Sequence, residues 1–241
     1  MKRSDQKVCL AVLCTIALLY AIPNFEEHFR YLSKTHGYLL SFVKFSILAT
    51  FGELLALRIV SGAYWKKNFG LFPKIIVWGF LGVGIKAALV IFATGVPAML
   101  ASTGLAVSAT GLATGSFMER FILALGISTC LNSIFAPIFM TLHKITDGHI
   151  SDHQGRISAL YQPIDMAKQF KAINWDIQWG FVFKKTIPFF WIPAHTITFL
   201  LPADFRVLFA ALLGVVLGII LAFANLRAQK QPVAQGAASP C

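Results

Sequence analysis

Phe189-Phe-Trp-Ile-Pro-Ala-His-Thr-Ile-Thr-Phe-Leu-Leu-Pro-Ala-Asp-Phe-Arg-Val-Leu-Phe209 decides the fold class. The stretch is almost wholly apolar, yet Pro193 and Pro202 cut it and His195, Asp204 and Arg206 stand among its bulky hydrophobes. In water such a segment aggregates. In lipid its freed carbonyls and its charges need partners inside a bundle or at the interface. It reads as one membrane helix, a turn at Leu201-Pro202-Ala203-Asp204, and a second helix from Phe205 to Asn225.

Composition agrees with that reading. Of 241 residues 57% are hydrophobic and 13% charged, with mean hydropathy +0.71; soluble domains carry about a quarter charged residues. An ordinary water-soluble enzyme is excluded. The 21 Lys and Arg against 10 Asp and Glu lie at the ends of apolar runs, where they set topology, so no nucleic-acid partner is expected. Cys9, Cys14, Cys130 and Cys241 have no metal or disulfide spacing.

Working back to the amino terminus, Val8 to Ile22 is an apolar run behind a basic start. It has the outline of a signal peptide and of an uncleaved first helix; Leu19 stands where cleavage would want a small residue, which favours the helix. Asn24 to Gly37 is a polar connection. Tyr38 to Val60 is a second span, interrupted by Lys44 and Glu53. Leu71 to Phe92 is a third, with Gly79, Gly82 and Gly84 for close helix approach and Lys86 near its middle. An ammonium at that depth needs a partner, and Glu53 is the expected one.

Gly95 to Ser116 is uncharged and rich in small residues: an outer loop, a re-entrant segment and a packed extra helix all fit. Phe121 to Leu142 is a fourth span, broken by Asn132 and by Phe135-Ala136-Pro137. From His143 to Lys185 the chain is at its most polar, and Ile164 to Phe183 has the spacing of an amphipathic helix in the headgroup layer anchored by Trp175 and Trp179. The expected fold is therefore all-α: a polytopic membrane bundle of about six transmembrane helices and one interfacial helix. It forms a single domain over residues 1–226, followed by a flexible tail over 227–241. Both termini and the Lys66 to Lys74 and His143 to Lys185 segments fall on the positive side.

Several motifs in order resemble the family of mitochondrial and peroxisomal membrane proteins named for Mpv-seventeen and for the twenty-two-kilodalton peroxisomal membrane protein. They are His36-Gly37 with Gly52-Glu53, Phe135-Ala136-Pro137, Asn174-Trp175, Trp191-Ile192-Pro193 and Pro202-Ala-Asp-Phe-Arg206. The likeness runs from about Tyr31 to Asn225. Leu131 and Asn132 depart from the family's Asp-Gln pair, and the first helix and Gly95 to Ser116 look like additions. The resemblance implies a pore-like or membrane-homeostasis role and makes Arg206 of more interest than its spacing does.

Glu53, Lys86, Asn132, His195 and Arg206 are the candidates for the bundle interior. They either line a wet path, as polar groups do in channels, or form ion pairs and hydrogen bonds that fix helix register. His195 alone reads more simply as a hydrogen-bonded core residue than as a proton relay, and Asp204 as a cap on the last helix. His143, Asp147, His149, Asp152 and His153 contain two i,i+4 pairs able to offer metal ligands, but Gly148 between them and the polar surroundings also fit a solvated connection; no metal and no cofactor is expected. No catalytic motif occurs, so no enzyme is expected.

Two functions follow as expectations: a channel or permeation pathway for ions or small metabolites, or a non-conducting protein that organises the membrane. Its partners are the bilayer, anionic lipids included, and small solutes or ions; a homo-oligomer is left open. A bacterial inner membrane fits the basic amino terminus, and a mitochondrial inner or peroxisomal membrane fits the resemblance.

Overall fold

The computed structural model describes residues 2–230, which form helices joined by short loops and turns, with no strand among them. The chain divides into two compact units, residues 1–40 and residues 41 onward. In the first, α1 (Arg3–Ala21) opens with the Asp5 carboxylate accepting the Lys2 N–H at 2.9 Å, and it ends ahead of Pro23. None of its residues is buried. The polar connection expected at residues 24–37 is a helix, α2 (Phe25–Thr35), stiffened by an Arg30–Glu26 pair at 2.7 Å.

The second unit is built on α3 (Gly37–Ser61) and α4 (Leu71–Ser102). They run antiparallel: Ser41 Oγ donates to the Gly82 carbonyl at 2.6 Å and Ser46 Oγ to that of Ile75 at 2.9 Å. Lipid tails are as apolar as leucine, so burial in a membrane yields little hydrophobic gain, and close packing with interhelical hydrogen bonds must hold helices together. Gly79 and Gly82 serve that need, since a Cβ on either would run into the rings of Phe42 and Phe45; Gly84, expected to act alike, faces open space.

Helix α4 is 32 residues long and continues through Pro97 to Ser102. The third span is thus longer than its expected end at Phe92, and residues 95–116 do not form a separate crossing. After Ser102 come turns and the short α5 (Gly111–Thr114). The fourth span is longer too, because α6 (Phe117–Cys130), a π-helical turn (Leu131–Phe135) and α7 (Ala136–Asp152) make one 36-residue helical run. Pro137 lacks an N–H, and the chain accommodates it by widening: Ala136 N–H reaches back five residues to the Leu131 carbonyl. At the end of α7, Gly155 (φ +68°) lies against Gly70 (φ +76°), which starts α4. Both backbones are left-handed, and a side chain on either would meet the other loop.

The expected interfacial helix from Ile164 to Phe183 does not form. The chain makes α8 (Met166–Ala172) and breaks at Ile173; Asn174 then caps a new helix by accepting the Ile177 N–H at 3.1 Å. That helix runs without interruption through α9 (Trp175–Ile177), a π-helical stretch (Gln178–Trp191) that contains Pro188, and α10 (Ile192–Leu200). Leu201-Pro202 turns the chain into α11 (Ala203–Lys230), as expected at that turn. Helix α11 outruns the expected end at Asn225 and carries four residues of the expected tail; residues 231–241 lie outside the described ones.

Among the described residues five helices are long and apolar enough to cross a membrane: Arg3–Ala21, Gly37–Ser61, Leu71–Ser102, Phe117–Asp152 and Ala203–Ile220. The expected span ahead of the Leu201 turn, fifth of the six, falls in the helix from 175 to 200, where Lys184, Lys185 and His195 lower the apolar character. The core joins Phe45 and Ala49 (α3), Leu89 and Val96 (α4), Ala124 and Ile127 (α6), Phe199 (α10) and Ala211 (α11).

A leucine at Gly82 is expected to cost about 1–3 kcal/mol by overpacking against Phe45, whereas a leucine at Gly84 is expected to be neutral. Thermal unfolding of both variants in detergent checks this; equal melting temperatures would show that α3 and α4 are not in close contact.

Candidate functional site

Three spans bring four ionisable side chains together at one end of the second unit. Glu53 comes from α3, Lys74 from the first turn of α4, and His143 and Asp147, one helical turn apart, from α7. The Lys74 ammonium lies 2.6 Å from Glu53 Oε2 and 2.5 Å from Asp147 Oδ1, and the residue is 8% exposed. Trp78, one turn along α4, donates its indole N–H to Glu53 Oε1 at 2.5 Å. His143 Nε2 stands 3.9 Å from Glu53 Oε1 and 3.7 Å from Asp147 Oδ2, and its ring packs on Trp78 at 4.4 Å. The Phe69 ring lies under the ammonium at 5.3 Å.

This corrects the expected Glu53–Lys86 pair. Lys86 is twelve residues further along α4, about 18 Å by helical rise, and its charge acts on Lys44, which also feels Asp204. Sequence reasoning placed Lys74 in a basic flank and so missed it. The i,i+4 spacing of His143 and Asp147 was the available signal, and it needed the partner helices to gain meaning.

A ligand atom each from Glu53, His143 and Asp147 lies within 4.8 Å of the others. Two carboxylates and an imidazole suit a hard or borderline cation. Lys74 already supplies a positive charge to both carboxylates, so a bound cation has to compete with it.

The rest of the His/Asp run builds structure instead. His149 Nε2 faces the Ala159 carbonyl at 3.0 Å, and His153 Nδ1 faces that of His149 at 2.9 Å. Asp152 accepts from Lys168 at 2.8 Å and Gln169 at 2.7 Å, fastening α8 to the end of α7, and its carboxylate holds the Lys168 ammonium above the usual lysine range.

The remaining candidates fall in two other places. Asn132, fully buried in the π-helical turn after α6, donates to the Ser128 carbonyl at 2.8 Å, while Ser128 Oγ donates to the Ile192 carbonyl at 2.7 Å. Asn132 Oδ1 is buried without a partner, as are Trp191 Nε1 and His195 Nδ1; the Trp191 and His195 rings lie 5.2 Å apart. His195 therefore differs from the hydrogen-bonded core residue expected, at least at Nδ1. Arg206, in the first turns of α11, donates Nε to the Leu201 carbonyl and Nη2 to that of Phe199, both at 3.1 Å. The five candidates thus fall in separate places: Glu53 belongs to the tetrad, Lys86 acts on Lys44 further along α4, Asn132 lies in the π-helical turn and His195 in α10, and Arg206 holds the Pro202 turn.

Removing one partner of a buried ion pair strands the others, typically at about 3–5 kcal/mol. Lys74→Met leaves two carboxylates facing one another, with the cost lowered by the partial exposure of Asp147. The triple variant Glu53→Gln, Lys74→Met, Asp147→Asn is expected to be more stable than Lys74→Met alone. Chemical unfolding in detergent gives both values, and the reverse order would mean that the three charges are not coupled.

No family model matches this chain, and no curated protein and no solved structure matches it either.

Proposed function

We propose that this multi-pass membrane protein moves a small ion or ion-coupled solute, and that the Glu53–Lys74–Asp147–His143 tetrad is its ion-handling element. The observation that supports this is the tetrad itself. Ionisable side chains of membrane-length helices that turn toward one another are functional candidates by default, and carboxylates with a histidine are the usual material of cation and proton relays. Lys74 acts here as a tethered cation. When its ammonium withdraws, Glu53 and Asp147 present oxygens to a mobile cation of similar charge; when it returns, that cation is expelled.

The ordered motifs from His36-Gly37 to Arg206 support the same assignment through the resemblance to the Mpv-seventeen family, whose members are regarded as pores. No catalytic step is part of this reading.

A non-conducting, membrane-organising role is the second reading, and one contact favours it. Lys184 lies over the Trp179 ring at 6.0 Å and Lys185 over Phe181 at 5.9 Å, with both aromatics exposed. Such pairs suit anchorage to anionic headgroups.

Ion flux from proteoliposomes separates the two. The transport reading expects cation flux above empty vesicles, reduced roughly tenfold in Glu53→Gln and Asp147→Asn, the effect of about 1.4 kcal/mol at an ion-binding point. Flux unaltered in both variants would defeat the role given to the tetrad. Absence of flux, combined with tighter binding to anionic than to neutral liposomes, would favour the second reading.

A further inference from the structure

At the end of the α6–α7 rod away from the tetrad, two arginines converge on one turn. Arg206 Nε and Nη2 reach the Leu201 and Phe199 carbonyls at 3.1 Å, and Arg120 Nη2, from the first turn of α6, reaches the intervening Leu200 carbonyl at 3.2 Å. The two guanidiniums are close enough for the Arg120 charge to act on Arg206. Among the described residues neither enters an ion pair.

Carbonyls at the end of α10 explain part of this arrangement, since arginine caps helix C-termini and meets the negative end of the helix dipole. They leave a remainder. Half a dipole charge does not balance two guanidiniums, and each carries five N–H groups, of which Arg206 spends two on carbonyls and Arg120 one. Arg120 Nε is buried with no hydrogen-bond partner at all. A buried Nε without an acceptor is an unmet demand for oxygen, and the terminal N–H groups that the carbonyls leave unused are the ones that can meet an oxyanion, which arginine binds in bidentate fashion.

Position narrows the ligand. Residues 103–116, between α4 and α6, carry no Lys or Arg, whereas basic residues crowd the opposite end at Lys66, Lys67 and Lys144. Two arginines on the charge-poor end are not explained by topology alone. They stand in the first turns of their helices, where spans of this length meet the headgroup layer, and beside them Phe117 and Phe121 have exposed rings 6.5 Å apart. We infer that Arg120 and Arg206 form a binding site for a phosphate group, carried either by a lipid headgroup or by a soluble phosphate. The site is independent of the tetrad and of ion movement.

The test uses the full chain purified in an uncharged detergent and reads thermal unfolding. One arm adds inorganic phosphate. Another adds phosphatidylglycerol, with phosphatidylcholine as the zwitterionic comparison, and chloride at matched ionic strength is the control throughout. Occupancy is expected to raise the unfolding temperature by about 5 °C near saturation, and Arg120→Gln is expected to remove that increment. Arg120→Lys keeps the charge but loses the fork, and is expected to lose most of it; this variant carries the test if the glutamine variant does not fold. A response to phosphatidylglycerol alone identifies a headgroup site, and a response to inorganic phosphate identifies a soluble ligand. No increment in either arm, an increment matched by chloride, or one unchanged in both Arg120 variants would overturn the proposal. A purely structural Arg120 would lower the starting temperature and leave the increment intact.

Discussion

An ammonium taken out of water between packed helices requires oxygen on more than one side, and the geometry of Lys74 shows how this chain supplies it. Glu53 on α3 and Asp147 on α7 approach the same nitrogen from different helices, at 2.6 and 2.5 Å. Since Coulomb attraction strengthens as the dielectric falls, the three helix ends are fixed relative to one another by a contact a few ångströms across. Trp78 reinforces the arrangement by donating to the Glu53 oxygen that Lys74 does not take and by packing at a tilt against the His143 ring. The glycine contact between Gly70 and Gly155 holds the same end shut at the backbone level. Charge and close packing therefore coincide where α4 begins and α7 ends.

A second constraint is the backbone itself. Prolines at 137, 188 and 193 remove N–H donors inside long apolar helices, and lipid offers no water to satisfy the carbonyls set free. The chain responds with π-helical turns that lengthen the hydrogen-bond reach, at Leu131–Phe135 and over Gln178–Trp191. Widened turns expose polar backbone between helices, and Ser128 and Asn132 bind to it. The buried, unpartnered atoms of Asn132, Trp191 and His195 gather in this widened region. Small residues and polar side chains there hold helices that hydrophobic burial cannot hold in a bilayer.

These two constraints also set what could be read from the chain. Apolar runs and Pro202 defined the helices and the last turn, because length and backbone chemistry are local properties. The ends of the spans were misjudged wherever a helix continued past a polar or small residue: α4 runs beyond Phe92 through a Gly- and Ala-rich segment, and α7 carries His143 to Asp152 as helix. Ile164 to Phe183 kept helical spacing in its apolar residues although Asn174 caps a new helix within it; a period does not reveal a break when the break itself preserves the face. Glu53 is recognisable as a carboxylate within an apolar span. Its partner is not, since Lys74 looks like any basic residue at a span's edge, and only the antiparallel register of α3 and α4 chooses it over Lys86.

Register also separates the two charged regions of the rod formed by α6 and α7. Arg120 and Asp147 are twenty-seven residues apart on one continuous helix, about 40 Å by helical rise, against a hydrocarbon core of about 30 Å. The tetrad and the arginine pair are thus at opposite boundaries of the apolar span rather than at its middle. At such a boundary a long side chain can reach water without crossing hydrocarbon. Between them the rod contributes Leu123, Ala124, Ile127 and Leu131, all buried, and a single buried amide at Asn132. This apolar middle is the costliest stretch for any polar group, and the chain places its own there only at the π-helical turn, where Asn132 and Ser128 bind backbone carbonyls.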